Sequence, residues 1–154
     1  GLAIGYFGFR LVGAAFLFVG IASLLLLLSL SESFVTAGPL NLLYFHTTGE
    51  LLRTGRDLMN HVGMILPWTL GGLIVYYCTF KMKLVPPWLS VWGIVGSTLT
   101  LIATVLLMLD VIKIVTPAYF IMNTPTALCE PSLAVFLIVR GFNPVASPSD
   151  GRSG

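Results

Sequence analysis

Glu130 is the residue whose type and position point most directly to chemistry. It lies near the middle of the apolar stretch 118–139, AYFIMNTPTALCEPSLAVFLIV, and an ionised carboxylate at mid-bilayer depth costs about 2.5–3.5 kcal/mol on insertion scales. Two prolines bracket it. Pro125 and Pro131 lack N–H groups, so the carbonyls four residues earlier, on Ile121 and Ala127, lose their helical donors. An acid beside such carbonyls in a kinked helix is suited to hold an ion, a proton or a ligand. In the plainer alternative Glu130 is neutral, or paired across helices, and serves packing as the two prolines do. Both readings stay open at this level.

Three further residues could work with it. Arg10 stands one position before the uncharged run 11–30, where a guanidinium can snorkel to the headgroups. It can instead turn inward to Glu130, provided the two helices are offset in depth. Asp57 and His61 belong to a polar stripe. At 100° per residue, Glu50, Arg53, Thr54, Asp57, His61 and Met64 share one helix face, with Leu51, Leu58, Met59, Val62 and Ile65 on the other. Such a stripe is either a solvated or bundle-facing surface or a polar vestibule that leads to His61 and, deeper, to Glu130. Its Glu50–Arg53 and Arg53–Asp57 pairs are worth only a few tenths of a kcal/mol each. Arg140 follows the last apolar stretch and reads as an interfacial anchor.

Other chemistry finds less support. His46 and His61 are the two candidate axial ligands for a haem-like cofactor, but neither has a second ligand at a matching depth, and no cofactor is expected. Cys78 and Cys129 fall in apolar stretches with no partner at metal-ligand spacing, so they read as buried thiols and no metal site is expected. Ser23 and Ser29 have no base arranged beside them, and no nucleophile-elbow, P-loop, dinucleotide or zinc-protease motif occurs. No residue is assigned as catalytic, and the balance is against an enzyme.

The elements that must position these residues follow from composition. Of 154 residues, 56% are hydrophobic and 9% charged, and the mean hydropathy is +0.97. A water-exposed surface uses roughly 25–35% charged residues, so most of this surface must face lipid. A net charge of +2 gives no basic stripe for nucleic acid. Stretches 11–30 (begun earlier by 2–9), 62–80, 88–109 and 118–139 each reach the roughly 20 apolar residues that cross a 30 Å hydrocarbon core as a helix. No alternation of the barrel kind runs through them. The expected fold class is all-α, a polytopic membrane protein with a four-transmembrane-helix bundle over 1–142 and a disordered tail over 143–154.

The connections are short apart from 31–49, where Gly38-Pro39 predicts a turn and NLLYF a segment lying at the interface. Basic residues near span ends predict orientation. Arg10, Lys81, Lys83, Arg140 and Arg152 fall on one side, whereas Arg53, Arg56 and Lys113 on the other are offset by Glu32, Glu50, Asp57 and Asp110. Both termini are therefore expected in the cytoplasm. Gly93, Gly96, Ser97, Thr100 and Thr104 line one face of the third span and predict close helix packing, either within the chain or against a partner helix. The chain opens at Gly1 without Met, which suggests an excised or incomplete segment.

The blocks GFRLVGAAFLFVG, TGRDLMNHVG, KLVPPWLSVWGIVGS and TALCEPSLAVFLIVRGFNP, in this order, resemble a bacterial multi-pass family known as domain-of-unknown-function family 4386. The last block is the most specific, because it joins a mid-membrane Glu to an apolar run and an Arg-Gly-Phe-Asn ending. The resemblance covers roughly residues 1–144 and implies a bacterial inner (plasma) membrane. Family members look like six-helix proteins, so this chain would match their last four helices. It departs at Pro131, where the family pattern carries a non-proline residue. The resemblance implies no activity. Lipid, and other membrane subunits or self-association in place of two missing helices, are the expected partners. The expected function is that of a structural or accessory membrane subunit; the alternative is a small-solute, ion or proton pathway centred on Glu130.

Overall fold

The structure is a computed structural model and describes residues 1–37 and 42–142. Four helices account for nearly all of them: α1, Leu2–Ala37; α2, Leu42–Lys81; α3, Pro87–Met108; and α4, Pro117–Arg140. Each is long and apolar enough to cross a membrane, and no strand occurs among the described residues. The fold is that of an all-α, polytopic membrane protein. Local sequence sets the boundaries. Pro87 and Pro117 open α3 and α4, where the missing N–H would have no helical partner anyway. The Thr116 side chain accepts a bond from the Tyr119 amide at 3.4 Å, capping α4. Gly141, at φ 70°, ends it.

The helix that carries the second span begins at Leu42, twenty residues before the predicted Val62, whereas the third and fourth spans match their predicted limits to within one residue. The first does not, because α1 runs seven residues past Leu30, through Ser31–Ser33 and on to Ala37. Segment 31–49 is therefore mostly helical, and Tyr44 and Phe45 of the expected interfacial patch lie inside α2. The expected Gly38-Pro39 turn and the tail 143–154 lie outside the described residues. Within α2 the turn Met59–Met64 is a π-helix. That wider turn shifts the faces before and after it, so a single 100° wheel does not hold from Glu50 to Met64.

The helices pack in chain order as a curled layer: α1 on α2, α2 on α3, and α3 on α4. Backbones of α1 and α4 do not approach within 8 Å, nor do those of α2 and α4. Small residues permit the close contacts. A Cβ on Gly13 would lie 2.7 Å from the Trp68 ring, and one on Gly93 would overlap the Tyr76 ring. Gly96 faces the Pro125–Thr126 backbone of α4, while Ser97 Oγ faces Gly72 of α2. Gly93, Gly96 and Ser97 of α3 thus meet neighbours within the chain. Tyr76, Leu89 and Cys129 form the buried core with Trp92, Ile94, Leu133 and Phe136 around it. Cys129 is buried and Cys78 half-buried, both as free thiols. Pro131 lies on the exposed face of α4.

Helix lengths divide the molecule in two. At 1.5 Å per residue, α3 and α4, of 22 and 24 residues, are about 33 and 36 Å long, matched to one bilayer. The 36 residues of α1 and the 40 of α2 make about 54 and 60 Å. Pairing is antiparallel throughout: Phe9 against Gly71, Phe16 against Gly63, Leu30 against Gly49 and Phe34 against Phe45. Helix α3 touches α2 only from the π turn onward. Residues 21–37 and 42–58 therefore form a two-helix arm that extends beyond the four-helix region.

Candidate intramembrane site

Because α1 lies beside α2 with Gly13 at Trp68, Arg10 is brought to the depth of residues 68–72. Its Nη2 donates to Glu130 Oε1 at 2.9 Å, and its Nε donates to the Tyr6 hydroxyl at 3.0 Å. The guanidinium carbon sits 4.8 Å from the Trp68 ring centroid and 5.3 Å from that of Tyr6, so two aromatic faces add cation–π attraction. The depth offset that the pairing required comes from α1 beginning as a helix at Leu2, which puts Arg10 inside the span. With no close backbone contact between α1 and α4, this ion pair is the polar link that joins the two ends of the layer.

Two cavities meet at Glu130. One, of about 330 Å³, lies between α2 and α4 with α3 as its floor; His61, Trp68, Ser97, Tyr119, Asn123 and Glu130 are among its lining residues. The other, of about 290 Å³, continues on the far side of the pair between Tyr6, Arg10, Gly72, Tyr76, Glu130 and Leu137. Along α4 the first borders residues 119–130 and the second residues 130–137, so they are stacked along the helix axis. Both volumes are near the lower end of the range for small-ligand pockets.

His61 closes the outer end of the first cavity. The π turn aims its ring at α4, where Nδ1 lies 2.7 Å from the Tyr119 hydroxyl, and the rings meet edge to face at 5.5 Å. Asp57, one turn earlier, pairs with neighbouring Arg56, whose Nε donates to Oδ1 at 2.9 Å. The structure thus joins Arg10 with Glu130 directly and sets His61 and Glu130 at opposite ends of one cavity. Asp57 stays outside that cavity, and the stripe residues Glu50 and Arg53 are exposed on the arm. His46 is exposed far from His61, beside the apolar cleft of the arm.

Several site residues escaped the sequence reading. Tyr6, Trp68, Tyr119, Asn123 and Thr126 all face the cavities. Four of the polar positions on α4, 119, 123, 126 and 130, recur at spacings of three and four, a signal of one polar helix face that was available. Thr126 shares a 2.9 Å hydroxyl contact with Thr100, and Asn123 Nδ2 donates to the Tyr119 carbonyl at 2.8 Å. Among the described residues no cluster of His, Cys, Asp and Glu has the makings of a metal site.

Four apolar helices that bring a partly buried guanidinium–carboxylate pair between two stacked cavities are those of a polytopic membrane protein with a polar centre. The chain belongs to the family described as Domain of unknown function (DUF4386), whose model matches residues 1–141. No curated protein and no solved structure matches it.

Proposed function

We propose that the helix layer carries a small-solute, ion or proton pathway with Glu130 as its central group. The observation that supports this reading is the meeting of two stacked cavities at one carboxylate. Each cavity reaches Glu130 from an opposite side, and the Arg10 pair separates them. Exchange of the carboxylate between Arg10 and a proton or solute would connect first one cavity and then the other, as alternating access requires. Reconstituted vesicles containing a pH-sensitive dye, with a potassium diffusion potential imposed, test it. Wild-type protein is expected to move protons or a co-transported solute, and Glu130→Gln to abolish that movement. Equal flux in the two proteins would remove Glu130 from the pathway; absence of flux in the wild type would remove the pathway.

A second reading, a structural or accessory subunit, draws support from the terminal helices. Only 11% of the α1 span and 6% of the α4 span are buried, leaving apolar faces for lipid, a second copy or another subunit. Mass measurement in lipid nanodiscs separates these, and a strict monomer would count against self-association. The placement that fits both readings is a bacterial plasma membrane with cytoplasmic termini, since Lys81, Lys83 and Arg140 cluster at one end. Labelling of Met82→Cys by an impermeant reagent in intact cells would reverse that orientation.

A further inference from the structure

We propose that the cavity between His61 and Glu130 is a lateral binding site for a neutral, mainly apolar molecule carrying one hydroxyl group, such as a substituted phenol, taken up from the bilayer between α2 and α4. The inference rests on the pathway reading in its small-solute and proton forms, not its ion form: the cavity is taken as one of the two arms that reach Glu130. It adds the chemical class of the occupant.

Charge argues for a neutral guest. The carboxylate at the inner end is matched by Arg10, and the nearest charges beyond the outer end, Arg56 and Asp57, match each other. An ion in the cavity would have no counter-charge, and an unpaired charge in an apolar setting is costly. The walls are mainly apolar and aromatic, with Met64, Ile65, Trp68, Phe120 and Ala127 among the lining residues. A flat, apolar body fits such walls.

Two polar groups call for a hydroxyl. Ser97 is 1% exposed, lines the cavity, and its Oγ has no hydrogen-bond partner. Helix hydroxyls here commonly turn back on the carbonyl four residues earlier, as Thr98, Thr104, Thr124 and Ser132 do. Ser97 does not, and a buried hydroxyl without a partner costs about 1–3 kcal/mol. Ala127 lies in the opposite wall, and Pro131 deprives its carbonyl of the helical donor. One hydroxyl can accept from the first group or donate to the second. The entrance is the gap between α2 and α4, whose backbones stay more than 8 Å apart, with Phe120 58% exposed beside it.

The probe is 4-hydroxybenzophenone, a neutral phenol that attaches to nearby C–H bonds on illumination. With the full chain in lipid nanodiscs, saturable labelling is expected on Met64 and on residues 120–127 of α4. Excess 4-phenylphenol should compete and biphenyl-4-carboxylate should not. Ala127→Phe, which fills the cavity, is expected to cut labelling at least tenfold, whereas Val135→Phe on the outer face of α4 leaves it unchanged. Should Ala127→Phe not fold, Ser97→Ala, which keeps the packing, is expected to weaken competition by 4-phenylphenol several-fold. Labelling that never saturates, or that spreads over lipid-facing Ile138 and Val139 as simple partition would, overturns the site. Glu130→Gln is expected to keep the labelling and lose flux, so failure of the pathway and failure of this site are read separately.

Discussion

The four-helix region and the two-helix arm are built from the same few residue types, yet they hold their polar groups in opposite ways. In the four-helix region Arg10 meets Glu130, His61 meets Tyr119 and Thr100 meets Thr126, each across two helices. In the arm the polar residues Glu32, Glu50 and Arg53 are exposed, and Ser33, Thr36 and Thr47 bond only to their own helix. Residues Leu42–Leu58 have no buried member. Two helices share one seam, which leaves no side chain of Leu42–Leu58 fully buried, and the partly buried Arg56–Asp57 pair at its base joins neighbours on one helix. The space between the arm helices is instead an apolar cleft of about 730 Å³, lined by Leu24, Leu28, Phe34, Leu42 and Phe45 among others. Among the described residues, the polar pairs just named that cross between helices lie where a third and a fourth helix pack.

The contrast is broken most severely by separating the ion pair. Glu130→Leu leaves the Arg10 guanidinium in the helix layer without its carboxylate, which is expected to cost about 3–5 kcal/mol. Arg10→Leu should cost a similar amount, and the double variant should return to within about 1 kcal/mol of wild type, because an apolar pair replaces a matched ionic one. A double-mutant cycle on unfolding in bicelles measures the coupling; additive losses would show that the two side chains do not act as a pair.

A smaller effect is expected from Gly93→Ala. Its new methyl overlaps the Tyr76 ring, and overpacking of this kind costs about 1–3 kcal/mol. Thermal unfolding in detergent reads it, and an unchanged midpoint would mean that the α2–α3 seam gives way freely. The smallest effect has the opposite sign. Gly55 in the arm has nothing within 4 Å of an added Cβ, so Gly55→Ala should gain only helix propensity, about 0.5–1 kcal/mol. Slower hydrogen exchange of the amides around residue 55, with those of α3 unchanged, is the expected result. A loss of protection there would show that the arm packs against something at Gly55.

Much of this was legible in the linear chain. Glu130 stood out because a charge among apolar residues is costly wherever it lies in a bilayer-length helix, and that cost depends on position in sequence alone. The small-residue face of α3 was readable for a similar reason, since helical spacing puts Gly93, Gly96 and Ser97 on one side. The end of α1 was not. A drop in hydropathy after Leu30 marks where apolar character falls, whereas a helix ends where its backbone bonding stops, and Ser-Glu-Ser can extend a helix that already exists. The π turn was hidden for the same reason: a single wheel assumes one pitch, and the turn that aims His61 at Tyr119 departs from it.

The sequence by itself determined a lipid-facing, all-α chain with four spanning helices, because hydropathy and span length are properties of consecutive residues and the bilayer admits few alternatives. It also marked Glu130 as a residue in need of a partner or a proton. Which partner it took was decided by tertiary structure. Arg10 and Glu130 are 120 positions apart, and their meeting depends on the register of α1 against α2, on Gly13 admitting Trp68, and on the chain-order curl that brings α4 across from α1. Distances between helices arise from packing over many side chains at once, so the ion pair, the two cavities at its sides and the gap between α2 and α4 exist only once the layer has closed.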